Sequence, residues 1–171
     1  FTYTITPQAP CPEVSTDVLI TINPLPVADA GEDQNLNCDD TVGELGGIGT
    51  STGDFSYLWS GGNVSNSTSI STTTSEAGLY NLLVTNNQTG CTAQDEVEVT
   101  VDLSAPIPNL SFSDLSCFEA NDGFISVGPI TGGAPPYVCN INGGAFSDET
   151  TFTNLSAGQY TIICRDSKGC E

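Results

Sequence analysis

The chain contains no histidine and no methionine, and it sets two basic residues, Arg165 and Lys168, against 21 acidic ones. Without histidine, no Ser-His-Asp or Cys-His nucleophile and no histidine-based zinc site can be assembled within it. The scarcity of Lys and Arg excludes nucleic-acid binding, which needs cations to displace phosphate counterions. A net charge of -19 is likewise repelled by an anionic membrane surface. No apolar run approaches the roughly 20 residues of a membrane span. A single tryptophan gives little material for the aromatic-lined, two-carboxylate cleft of a glycosidase, so the chain reads as non-catalytic. Signal peptide and initiator methionine are missing too, and Phe1-Thr-Tyr-Thr-Ile-Thr reads as mid-strand. The expectation is a fragment whose targeting signal lies upstream.

What the chain does have is a rhythm of cysteines. Cys38 and Cys91 are 53 residues apart, as are Cys117 and Cys170, and Cys11 precedes Cys91 by 80. Seven cysteines at repeating intervals indicate modules stapled alike and place the chain in an oxidising, extracellular setting. The equal spacing pairs Cys38 with Cys91 and Cys117 with Cys170, and sends Cys11 to a residue upstream of Phe1. Cys139 and Cys164 lie on strands led by Tyr137 and Tyr160. They read as a cross-strand disulfide, with two buried free thiols as the alternative. A zinc site is excluded by the lack of clustered C-x2-C spacing.

The local pattern is period two. Val97, Val99 and Val101 alternate with Glu96, Glu98 and Thr100, and Val18, Ile20 and Ile22 alternate likewise, each set predicting a half-buried strand. Turn signals are dense, and no segment carries a helical apolar stripe. The fold class is therefore all-β: tandem immunoglobulin-like antiparallel sandwiches, disulfide-stapled and joined by short proline linkers. The linkers are Pro24-Leu-Pro26 and Ala105-Pro-Ile-Pro108, extended segments unable to continue a ladder. They divide the chain into residues 1–26, the last strands of a truncated module, and two further modules at 27–103 and 104–171.

Three segments share one plan, a tyrosine-led strand running into a cysteine hairpin and, where the chain is long enough, an alternating return strand. They begin at Tyr3, Tyr80 and Tyr160. Ala77-Gly-Leu-Tyr80 and Ala157-Gly-Gln-Tyr160 look like the tyrosine corner of immunoglobulin-type sandwiches, and Trp59 falls where such a domain buries its tryptophan. Phe55, Tyr57, Phe112, Phe118, Phe124 and Phe146 mostly occupy alternating positions that read as core. Asp29, Glu32, Asp33 and Asp95 cluster around the first module boundary. Two readings stand for them, a Ca2+ site that stiffens the joint or a solvated acidic surface.

The third module, with Leu115-Ser-Cys117-Phe-Glu-Ala-Asn-Asp-Gly123, Thr131-Gly-Gly-Ala-Pro-Pro-Tyr137, Ile141-Asn-Gly-Gly-Ala-Phe146, Phe152-Thr-Asn-Leu-Ser-Ala-Gly-Gln-Tyr160 and Arg165-Asp-Ser-Lys-Gly-Cys170, resembles the SprB repeat of giant Bacteroidetes cell-surface adhesins, including the gliding-motility adhesin. Cys139 and Cys164 depart from that repeat. The middle module, with Ala28-Asp-Ala-Gly-Glu-Asp-Gln34 and Tyr57-Leu-Trp59, is similar to PKD/immunoglobulin-like domains. The resemblance implies type IX secretion, a long extracellular stalk on the cell surface, and attachment or gliding as its output. It implies an O-glycan at Thr41 within Asp40-Thr41-Val42. Partners are then neighbouring modules, identical chains in a filament bundle, and a target surface met by other parts. A glycan- or protein-binding recognition module is the alternative; no cofactor beyond candidate Ca2+ is expected.

Overall fold

The computed structural model describes residues 2–5 and 14–171; Cys11 lies outside the described residues. Among the described residues all 13 elements are strands, so the all-β class holds. A hairpin of β1 (Thr2–Ile5) and β2 (Val14–Asp17) comes first, with Tyr3 opposite Thr16.

A first strand group follows, made of β3 (Gln34–Leu36), β4 (Gly43–Leu45), β5 (Phe55–Ser60), β6 (Thr72–Thr74), β7 (Gly78–Asn86) and β8 (Thr92–Val101). One sheet has the order β3-β8-β7-β5, and β4 pairs with β6 in the facing one. Alternation places Tyr80, Leu82 and Val84 of β7 and Val97 and Val99 of β8 inside, while Glu96 and Glu98 face solvent. With Ala30, Leu36, Leu45 and Trp59 they form one core, and each large apolar side chain buried there contributes about 1.5–3 kcal/mol. Trp59 donates its indole N–H to the Ser69 carbonyl at 3.0 Å, which satisfies its one polar atom.

The second group comprises β9 (Ile107–Ser113), β10 (Gly123–Thr131), β11 (Val138–Ile141), β12 (Thr151–Leu155) and β13 (Ile162–Arg165). Its sheets are β12-β10-β9 and β11-β13. The core is small, consisting of Val127, Phe152, Cys139 and Cys164 with Ile130, Ile141, Leu155 and Ile162 around it. Cys139 stands directly opposite Cys164 in the β11–β13 ladder, and the two are bonded at a Cα separation of 4.1 Å. The backbone of Cys139 exchanges both hydrogen bonds with Ser147 on its other side. Opposite Cys164 it therefore occupies a non-hydrogen-bonded position, where strands come closest and a cystine fits.

Both tyrosine corners form. The Tyr80 hydroxyl donates to the Glu76 carbonyl at 3.0 Å and lies 2.7 Å from Thr74 Oγ1. The Tyr160 hydroxyl donates to the Ser156 carbonyl at 2.8 Å. In each the phenol ties a late strand to the turn four residues upstream.

Four expectations are corrected. The pairing is not wholly antiparallel, since β3 runs parallel to β8, with Gln34 beside Val99 and Leu36 beside Val101. Residues 18–23 are not a strand: the hairpin's ladder stops at Asp17, and Leu19, Ile20 and Ile22 are 87, 66 and 95% exposed. Pro108 does not lie in a linker but within β9, and Pro129 lies in β10. β9 is an edge strand, and the ladder breaks register between Val127 and Ile130, the two settings in which a strand tolerates proline. Phe112, Phe118 and Phe124 are not core but 72, 93 and 40% exposed, because among the described residues nothing covers that face.

Tyr80→Phe removes a buried hydroxyl from two partners and should lower stability by about 1–2 kcal/mol. Tyr160→Phe, in a more open corner, should cost less. Urea unfolding of the two variants side by side checks the order, and equal losses would refute it.

Candidate functional site

The direction of β3 decides which cysteines meet. Cys38 follows Leu36, which is level with Val101 at the end of β8, whereas Cys91 immediately precedes the start of β8 at Thr92. The strand between them spans about 30 Å, against a limit of about 7 Å between the Cα atoms of a cystine. Cys117, in the loop joining β9 to β10, faces the same obstacle. Cys170 sits beside Ala134, just past the opposite end of β10. Neither expected 53-residue pair can close. Instead Cys38 bonds to Cys170, at a Cα separation of 5.1 Å across 132 positions of sequence. Cys91 is half-buried and Cys117 exposed, both as free thiols. Equal spacing did not mark partners.

Around this bond the two strand groups are locked together. On the first side, the Asn37 side-chain carbonyl accepts from the amides of Asp39 and Asp40 at 3.0 and 2.9 Å, holding Cys38 in a tight turn. The Asp39 amide also donates to the Lys168 carbonyl at 3.1 Å, across the joint. Lys168 Nζ lies 2.8 Å from Asp102 Oδ2, at the end of the first group. That hydrogen bond, then those from Ser104, then the Lys168 charge hold the Asp102 carboxyl down to about 2.

On the second side the organiser is Asp166, 5% exposed. One carboxylate oxygen accepts from the Ala134 amide at 2.8 Å, and the other from the amides of Lys168 and Cys170, both at 2.9 Å. Burial alone would raise its pKa; the three amides and the Lys168 charge outweigh burial and lower it. A carboxylate buried under three donors fixes the loop that presents Cys170. Gly169 has φ +78°, a left-handed conformation that favours glycine, and it lies against the Asp39 side chain at the point where the groups touch. Both cations of the chain are committed here or nearby: Lys168 to Asp102, and Arg165 to Glu171 while stacked 4.2 Å over the Phe146 ring.

No family model matches the chain, and no curated protein matches it. Among solved structures it is similar to the solution structure of the PKD domain from KIAA 1837 protein, with 24% identity over 47% of this chain and 90% of that one, at a TM-score of 0.38. Agreement that loose carries no argument, and the architecture rests on the strands themselves.

The candidate Ca2+ carboxylates are not brought together as a cation cage. Asp29 accepts from the amides of Gly31 and Gly49, Asp95 from Ala30 and Asp33 from Glu98, while Glu32 is exposed. Their oxygens are spent on pinning loops, and among the described residues no group of three or more ligands is suited to a metal. Thr41 is exposed between β3 and β4. Sequence reasoning missed Asp102 altogether and missed the part that Asp166 plays at the joint. The available signal was that the only two cations sit within the last seven residues.

Peptide mapping with thiols blocked should return cystines 38–170 and 139–164 and alkylated Cys91 and Cys117; recovery of 38–91 would overturn the joint. The ordinary carboxyl value near 3.8 exceeds the folded value of Asp102. Its pair with Lys168 therefore stabilises fully above about pH 4 and is lost as pH falls toward 2. By carboxyl NMR, Asp102 should titrate near 2 and move upward in Lys168→Met; an unmoved midpoint refutes the pairing.

Proposed function

We propose that this chain is a structural stalk segment of a long extracellular adhesin or surface filament, used for attachment or gliding, and that residues 27–103 and 104–171 are successive modules of it. The observation that carries the reading is the joint. Two strand groups with separate cores are held by a cystine, a backbone hydrogen bond and an ion pair, and not by broad packing of one on the other. A joint of this kind limits bending while leaving module faces free, which suits a spacer. Two disulfides fit an oxidising location outside the cytoplasm. No helix of the described residues is long and apolar enough to cross a membrane. The SprB-like sequence of residues 104–171 supports export by the type IX route and a gliding or adhesive parent molecule. Neighbouring modules are then the immediate partners.

The exposed Phe112 and Phe118 favour one further reading, a recognition module for glycan or protein. Specific binding on a glycan array would promote it.

Solution scattering separates stalk from globule. Two modules end to end give a maximum dimension of about 80 Å from strand and loop lengths. Cys38→Ser should broaden the distribution of sizes without unfolding either group. A compact particle, or a variant indistinguishable from wild type, would sink the stalk reading.

A further inference from the structure

Asn142 is the one asparagine of the chain that precedes a glycine. That pair is prone to a reaction of its own. With no Cβ to hinder it, the glycine's backbone nitrogen attacks Cγ of the asparagine side chain and ammonia leaves. Water then opens the cyclic imide to aspartate or, through the other carbonyl, to isoaspartate. The fold explains why so reactive a pair stands at this point. Asn142 and Gly143 have φ of 50° and 72°, and the Gly144 amide donates to the Ile141 carbonyl at 3.0 Å. Two successive positive φ values make a turn of type I′, for which Asn-Gly is the preferred sequence. It closes the hairpin in which Cys139 is bridged to Ser147.

Burial does not protect this turn. Both residues are exposed, and nothing lies within 4 Å of the place a Cβ on Gly143 would take. What restrains the reaction is hydrogen bonding at both reacting groups. The nucleophile, the Gly143 amide, donates its proton to Asn140 Oδ1 at 3.2 Å, and Asn140 is itself only 4% exposed. The electrophile is the Asn142 carboxamide, whose oxygen accepts from the Thr161 amide at 2.9 Å. The Asn142 amide in turn donates to the Thr161 carbonyl at 2.8 Å. Left-handed backbone turns the carbonyl of Asn142 away, so its side-chain oxygen takes the carbonyl's place. The pair thereby extends the β11–β13 ladder by one rung beyond Ile141 and Ile162. Swinging Cγ onto the Gly143 nitrogen breaks that rung, and the attack itself breaks the bond to Asn140.

We propose that Asn142 is a latent modification site, guarded by Asn140 and Thr161 while the β11–β13 pair is closed and converted to isoaspartate once it opens. The N–Cγ bond forms as the Cγ–Nδ2 bond breaks, the amide proton goes to solvent base and the leaving nitrogen departs as ammonia. Water is the only further reactant. Isoaspartate carries the main chain through the former side chain, which adds a methylene to the turn and takes away the oxygen that Thr161 needs. The rung beside the Cys139–Cys164 cystine then cannot re-form. An opening of this hairpin is thus recorded covalently, although the cystine itself is untouched. Asn140 acts here as a positioning residue, and the site holds whatever the parent molecule attaches to.

The test is incubation of the full chain, cystines intact, in mildly alkaline buffer with and without concentrated guanidinium. Peptide mass mapping then reads deamidation at Asn142, and an isoaspartate-specific methyltransferase reads the product. The folded wild type should keep its amide, while the unfolded chain loses it at least about tenfold faster, the factor that one ordinary hydrogen bond is worth. Folded Asn140→Ala should deamidate about tenfold faster than folded wild type, and Asn140→Asp, which keeps an acceptor oxygen, should restore most of the protection. After refolding, copies carrying isoaspartate should exchange the Thr161 amide with deuterium faster than unmodified copies do. Equal rates in folded and unfolded wild type would overturn the proposal without recourse to any variant. So would a folded Asn140→Ala that reacts no faster than wild type, or Thr161 protection that survives the isoaspartate.

Discussion

The short parallel ladder between β3 and β8 is the constraint on which the joint depends. Three residues set the direction of the chain at that edge. They send Cys38 to the C-terminal end of β8, about 30 Å from Cys91, and deliver it to the next strand group. Asn37, Asp39 and Asp102 become joint residues for the same reason, since all three lie at the end of the sheet that β3 reaches.

The two groups solve the problem of a small core differently. The first buries an aromatic-aliphatic cluster around Trp59 and Tyr80, satisfying indole and phenol with backbone carbonyls. The second has fewer buried side chains and places a cystine among them, at a strand pair close enough to accept it. A 25-residue separation between Cys139 and Cys164 supplies about 3.5 kcal/mol on the chain-entropy account, and the 132-residue separation between Cys38 and Cys170 about 5. The staple in the second group thus makes up for the smaller apolar area that its core buries.

Much of this architecture was legible in the sequence. Period-two alternation marked β7 and β8 because their inner faces are fully buried and their outer faces charged or polar. Both tyrosine corners were visible as Ala-Gly-x-Tyr, since a phenol that caps its own turn acts over four residues. Legibility failed where the deciding contact was distant. The partner of Cys38 depends on strand direction, which a three-residue strand does not announce. Val18–Ile22 has the pattern of a strand, but pattern specifies a face to bury and not the surface that buries it. The carboxylates at 29, 33 and 95 looked like ligands because composition does not show which amides will claim them. Asp166 was one acid among 21 until the fold wrapped three donors around it.

The bond between Cys38 and Cys170 also determines how tension would travel. A pull applied before Cys38 and after Cys170 crosses from one to the other through a single covalent link, and the 132-residue span between them carries none of it. Only β3 and the residues leading into it stay in line; the remaining strands of both groups hang off the load path. Such a segment behaves as a short, inextensible tether while oxidised. Reduction would return the bypassed residues to the line and turn the same molecule into a compliant spring with hundreds of ångströms of slack, on the order of 3.5 Å for each residue released.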